Sequence, residues 1–255
     1  RVTVKLFFSF HHFQFLITVT KENEIMKLSE KCMLVSLFIK CYSGRKNDKR
    51  VAEKVATDNG AAADAGRYSK LVISKQRIKE LQKLASAVRT IHYTYTSPWS
   101  DDGRRMLPAA AFDKYAAEVR KAIALYDSAV AKFVADFDDL KEQRRIELNG
   151  LFCESDYPST DQLRSDFLAR FNVTPITDEN DFRVALSDDE TEKIRAAIKR
   201  DCQDNLQGTL MDCWQRLYDA VNHMSQKLAD GDSVFRDSLV GNVRELVDLL
   251  PLLKV

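Results

Sequence analysis

Phe112, Ala116, Val119, Ile123, Tyr126, Val130, Phe133, Phe137 and Leu140 follow one another at alternating steps of four and three residues. No other feature of the 255-residue chain restricts its fold as strongly. A stripe of that period stays on one side of an α-helix and needs an apolar partner along its length. Pro108 suits the first turn of such a helix, since its missing N–H has no intrahelical acceptor there. The pattern runs to about Leu148, and one unbroken helix of that span would be about 60 Å long at 1.5 Å rise per residue. A helix of that length must project or lie along a second one.

The second helix is legible downstream. Ser187-Asp-Asp-Glu190 is a capping box, in which the serine oxygen accepts from the Glu190 amide. Ile194, Ile198, Cys202, Leu206, Leu210, Trp214, Leu217, Val221, Met224 and Leu228 then run to Asp230-Gly231, a C-terminal stop signal. The first half of this series steps by four and drifts around the helix; the second half returns to three and four. The expectation is that Phe112–Leu140 and Leu206–Leu228 pack antiparallel.

Shorter elements fill the remainder. "MLVSLFI" (33–39) is an apolar run whose β-branched and aromatic content favours a strand. A short helix is expected around Asp48–Thr57, ended by Asn59-Gly60, and a longer one over Ser74–Tyr95 with Ile78, Leu81, Ala85, Val88, His92 and Tyr95 in one stripe. Pro98 and Asp102-Gly103 break that pattern in "TSPWSDDGRRMLP". Ser159-Thr-Asp-Gln162 is a second capping box. "FNVTPI" (171–176) and "DFRVAL" (181–186) read as two strands of a hairpin, and Phe235, Leu239, Val243, Leu246 and Leu250 as a last amphipathic helix before Pro251. The fold class expected is mainly α with a small β component: a long antiparallel, coiled-coil-like helical hairpin, short helices and a small antiparallel sheet.

Eight glycines and five prolines among 30% charged residues agree with that class. The net charge of +1 conceals an asymmetry. Residues 26–100 carry 15 Lys+Arg against 6 Asp+Glu, and residues 101–255 carry 21 against 30. A basic third can contact phosphates, where each neutralised charge releases counterions; it can equally meet the acidic part of its own fold or of a neighbouring subunit. The five cysteines form no C-x-x-C pair and read as reduced thiols in a cytoplasmic setting, mostly core residues.

Residues 1–25 are set apart by "VKLFFSFHHFQFLITVT". His11, His12 and Gln14 interrupt the apolar run, it is shorter than the roughly 20 residues of a membrane-spanning helix, and no small-x-small cleavage site follows. "KENEI", just before Met26, is what a translated purine-rich ribosome-binding sequence looks like. The expectation is that residues 1–25 are upstream translation and that the native product begins at Met26. Residues 26–255 then make one helical domain: a basic part (26–107), the long hairpin with its β insertion (108–230) and the C-terminal helix (231–255).

No motif carries a recognisable chemistry. "GAAADAGRYS" (60–69) places five residues between glycines where a phosphate loop needs four, and Arg67 stands for the lysine, so a helix-boundary turn is the plainer reading. His92 and His223 fall on or beside apolar stripes, outside any metal-binding spacing. Glu154, Asp156 and Asp161 hold enough carboxylate for a hard cation, but "ESDYPSTDQ" reads more simply as a turn and helix cap. No catalytic residue, cofactor or metal site is assigned.

One constellation retains functional interest. His92, Tyr93, Tyr95 and Trp99 lie beside Arg104 and Arg105, and aromatics can stack on unpaired bases while arginines hold the backbone. The same aromatics can instead close the end of a bundle, with the arginines solvated or paired to Asp101 and Asp102. The candidate nucleic-acid contacts are Arg45, Lys46, Lys49, Arg50, Arg67, Tyr95, Trp99, Arg104 and Arg105.

Blocks along the chain, "LVSLFIKCYSGRK", "DAGRYSK", "HYTYTSPWSDDGRRMLPA", "LNGLFCESDYPS", "DFRVALSD" and "FRDSLVGNVRELVDLLP", resemble in this order a family of tailed-phage proteins of unknown function. The resemblance runs from Leu34 to the C-terminus. It implies a phage origin, a product acting in the host cytoplasm, and genes near those of MoxR-type AAA+ ATPases and cobaltochelatase-like partners. It transfers no catalytic residue. The expected function is a non-enzymatic assembly or adaptor role with a protein partner or a second copy, away from membranes. The alternative is binding of single-stranded DNA or RNA by the basic 45–105 region.

Overall fold

The computed structural model describes residues 28–229. The leader 1–25 and the series Phe235–Leu250 lie outside the described residues. The fold is mainly helical with a small sheet. The strands are β1 (Cys32–Lys40), β2 (Arg45–Asn47), β3 (Ser69–Leu71), β4 (Ser97–Pro98), β5 (Arg105–Pro108) and β6 (Leu168–Pro175). The helices are α1 (Lys49–Asp58), α2 (Lys75–Tyr95), α3 (Phe112–Ala135), α4 (Phe137–Leu148), α5 (Thr160–Ser165) and α6 (Asp188–Ala229). One sheet has the order β4-β5-β1-β6; β2 and β3 form a separate antiparallel pair.

The chain divides into two compact units, and β1 and β6 each contribute to both. The first takes in residues 28–36, 96–112 and 173–229 of those described. Here β1 pairs antiparallel with β5, Cys32 opposite Pro108 and Val35 opposite Arg105, while β5 pairs with β4. The core is Leu28, Cys32, Leu34, Trp99, Met106, Ile176 and the α6 residues Cys202, Leu206 and Cys213. Thr209 Oγ1 donates to the Pro98 carbonyl at 2.5 Å, and Ser97 Oγ lies 3.1 Å from Cys213 Sγ. These contacts need short side chains on α6, and they correct the expected stripe. Thr209 and Cys213 are buried, whereas Trp214 and Val221 face solvent.

The second unit comprises residues 37–95 and 113–172. The α2 stripe Ile78, Leu81, Ala85, Val88 and His92 is buried as the periodicity predicts. Tyr126 and Phe133 of α3, Phe137 and Leu140 of α4, Leu163 of α5, and Phe167 join Val72, Ile73, Ile78, Leu81 and Ala85 in one core. The stripe of α3–α4 thus finds its partners within this unit, and that of α6 within the other. The expected unbroken helix also divides at Asp136, whose φ of −84° and ψ of −1° interrupt the regular turn.

The expected 171–176/181–186 hairpin is likewise revised. Residues 171–175 belong to β6, which takes its place beside β1, and residues 182–187 form no strand. The short-range signals agree with the structure. Asp48 caps α1 by accepting from the Val51 amide, Ser159 and Gln162 form the reciprocal box of α5, and Ser187 accepts from Glu190 N.

Candidate functional site

Tyr42-Ser43-Gly44 turns the chain from β1 into β2. Gly44 has φ of +62°, and a Cβ there would meet Ile78 Cγ1 at 2.8 Å, so only glycine fits without displacement. Its carbonyl accepts from Val72 N, which sets β3 beside β2. Lys46 consequently stands opposite Lys70.

Lys70 is buried, and its ammonium meets three acceptors: Asp48 Oδ2 at 2.8 Å, Asp156 Oδ2 at 2.6 Å and the Leu151 carbonyl at 2.8 Å. The contacts to Asp48 and the Leu151 carbonyl are hydrogen bonds, and Asp156 adds an ion pair. Burial opposes the Lys70 charge, but the Asp156 and Asp48 carboxylates outweigh it and raise its pKa. The hydrogen bond from Lys70 holds Asp48 below its ordinary range, helped by the Val51 amide. Sequence spacing could not reveal this trio, because its members come from three separate segments.

Asp156 also lines a cleft of about 340 Å³ with Lys40, Cys41, Tyr42, Ser43, Arg45, Lys46, Pro158 and Asp166. Lys40 is tied to Asp166 and the Ser165 carbonyl. Burial raises the pKa of the Cys41 thiol and pushes the Tyr42 phenol up to about 12. Both shifts disfavour the ionised, nucleophilic form of these side chains.

Arg45, Lys46, Lys49 and Arg67 are exposed around β2 and the start of α1, without a carboxylate at ion-pair distance among the described residues. Arg50, also exposed, donates to the Gly150 carbonyl. The other candidate contacts have structural partners. Trp99 is a core residue; Tyr95 donates to Glu118 at 2.7 Å. Arg104 pairs with Asp102, and Arg105 donates to the Thr96 hydroxyl and carbonyl. The aromatic–arginine constellation is divided between the two units, and its side chains are engaged in holding local structure.

The acidic cluster is likewise accounted for. Glu154 pairs with Lys141 and Arg145, Asp156 with Lys70, and Asp161 is exposed. Among the described residues no three His, Cys, Asp or Glu side chains converge as a metal site. His92 is buried, its Nδ1 2.9 Å from the Tyr115 hydroxyl, and His223 is exposed. Gly60–Ser69 runs from the end of α1 to β3, not from a strand into a helix.

An apolar row on α6 has no counterpart in the sequence reading. Met211, Trp214, Tyr218 and Val221 recur at steps of 3, 4 and 3 and are 54%, 43%, 62% and 44% exposed. The signal is present in the sequence, but periodicity alone places Trp214 and Val221 in the buried stripe next to it. No helix among the described residues is long and apolar enough to cross a membrane. No protein-family model, curated protein or solved structure matches the chain.

Proposed function

We propose that this chain is a non-enzymatic assembly or adaptor protein that binds a protein partner through the outer face of α6. The observation that carries the reading is the exposed row Met211, Trp214, Tyr218, Val221. Four large apolar side chains at helical spacing form a contiguous strip of the kind that marks interaction surfaces, and aromatic residues and methionine are enriched where partners dock. The resemblance to tailed-phage proteins supports a setting in the infected cell, with an AAA+ ATPase as the partner class; catalysis would then reside in the partner. The test is affinity purification of the tagged chain from infected cells, beside a Met211→Asp/Tyr218→Asp variant. Retention of an ATPase or a second copy by the parent chain, lost in the variant, is the expected result. A monomer with no co-purifying protein at low or high salt overturns the reading.

A second reading rests on a separate observation, the exposed cations Arg45, Lys46, Lys49 and Arg67, which have no carboxylate at ion-pair distance among the described residues. Such a cluster suits a phosphate backbone in a salt-dependent manner. Tyr95 and Trp99 are engaged elsewhere, and the exposed Tyr68 stands next to Arg67.

A further inference from the structure

The cleft beside Asp156 carries a charge imbalance that the fold does not use. Its carboxylates are already matched: Asp166 meets the Lys40 ammonium at 2.8 Å, and Asp156 lies 2.6 Å from the buried Lys70, which also holds Asp48. Arg45 and Lys46 line the same cleft, and neither has a carboxylate at ion-pair distance among the described residues. With Lys70 and Asp48 included, four cations meet three carboxylates. Lys46 stands opposite Lys70 in the β2–β3 pair, so the two lysines share a face of that ribbon. Lys70 engages both nearby carboxylates, and Lys46 is left without one.

Neutral donors complete the lining. The Ser43 hydroxyl accepts from the Arg45 amide at 3.3 Å, which leaves its own proton for another acceptor. Tyr42 supplies a second hydroxyl. The turn that presents these groups is fixed by Gly44, whose left-handed backbone and contact with Ile78 admit no side chain without displacement. A guanidinium fork, an ammonium and hydroxyl groups form a donor set suited to the peripheral oxygens of a phosphate. The volume of about 340 Å³ is at the small end of ligand sites, roughly 300–1,000 Å³, which suits a phosphate with one small ester group.

We propose that this cleft binds a phosphomonoester, with Arg45, Lys46 and Ser43 holding the phosphate. The ester is either a free phosphorylated compound of nucleotide size or the 5′ end of a nucleic-acid strand. The inference rests on the premise of the second reading, that this basic surface meets phosphate, and narrows it to a terminal group in a defined cleft.

The full chain is titrated at low salt with two pairs of probes: thymidine 5′-monophosphate beside thymidine, and 5′-phosphorylated octathymidylate beside its 5′-hydroxyl twin. The phosphorylated member of at least one pair should bind about tenfold or more tightly, as hydrogen bonds to a charged group supply. A gain with the mononucleotide assigns the free ester, and a gain confined to octathymidylate assigns the strand end. Arg45→Ala/Lys46→Ala should remove the gain. Lys49→Ala/Arg67→Ala, equal in charge but outside the lining, should keep it, with circular dichroism confirming that both variants are folded. No gain in either pair of probes, or equal loss from the two variants, overturns the inference. Octathymidylate binding that is salt-dependent but indifferent to the 5′-phosphate removes the cleft alone and leaves the backbone reading standing. A mononucleotide gain without oligonucleotide binding leaves the cleft standing and removes the backbone reading.

Discussion

Lys70 Nζ lies 2.6 Å from Asp156 Oδ2, a buried ion pair that ties β3 to the loop after α4. Asp48 and the Leu151 carbonyl complete the site, so one lysine joins three segments of its unit. Replacing Lys70 with Met should cost about 3–5 kcal/mol, because removing one partner leaves uncompensated buried carboxylates. Urea denaturation followed by circular dichroism measures this, and a loss within the scatter of surface substitutions would sink the assignment.

Lys70 and Asp48 together set a pH dependence with a definite sign. Asp48 is depressed in the folded state, so its contribution is present above the ordinary carboxylate range near pH 4 and fades as pH falls through its lower folded value. Lys70 is raised, so its contribution is complete below about pH 10 and is lost as pH climbs through its higher folded value. The stability gap between parent chain and Lys70→Met should therefore be widest between these limits and narrow on either side. A gap constant from pH 3 to pH 7 would contradict the ion-pair account.

Phe133 is buried in the same unit, edge-on to Phe167. Phe133→Ala should cost about 3–5 kcal/mol through lost burial and a residual cavity. A shift of the urea midpoint no larger than that of an exposed α3 substitution such as Leu125→Ala would show that α3 is not seated as described.

The thiols should separate by burial. Cys153 is exposed, while Cys32, Cys202 and Cys213 are buried, the first two pushed up to about 11 by burial. Under native conditions at pH 8, a disulfide reagent should modify Cys153 in the fast phase, and the buried three only on unfolding. Fast reaction of Cys202 or Cys213 would mean that α6 is not held against Ser97 and Pro98.

For the basic surface, reversing Arg45, Lys46, Lys49 and Arg67 together should abolish any low-salt retention of single-stranded oligonucleotide and flatten its salt dependence. Filter binding at two salt concentrations reads this. Equal retention by the parent and the reversed variant would remove the polyanion reading.

Where a residue's role depended on its near neighbours, the sequence was sufficient. The caps at Asp48, Ser159 and Ser187 bond to amides three residues away, and the α2 stripe needs only a 3.6-residue period. "MLVSLFI" was resolved as a strand by its β-branched content. What it could not settle was which of two adjacent rows on α6 would be covered. Both rows are helical and both hold apolar residues, so hydrophobicity favoured Trp214 and Val221. The structure instead buries Thr209 and Cys213, because small side chains let α6 approach β4 closely enough for Thr209 to donate to the Pro98 carbonyl and for Cys213 Sγ to meet the Ser97 hydroxyl. The same distinction separates the two classes of charge. The cations of "SGRKNDKR" are alike in sequence to Lys70, yet they remain exposed while Lys70 lies beneath, since an ammonium can be buried only where distant segments bring it enough acceptors. Helix periods and caps are local and were written in the chain; partners for a buried charge, and the choice between two equivalent helix faces, exist only once the chain has folded.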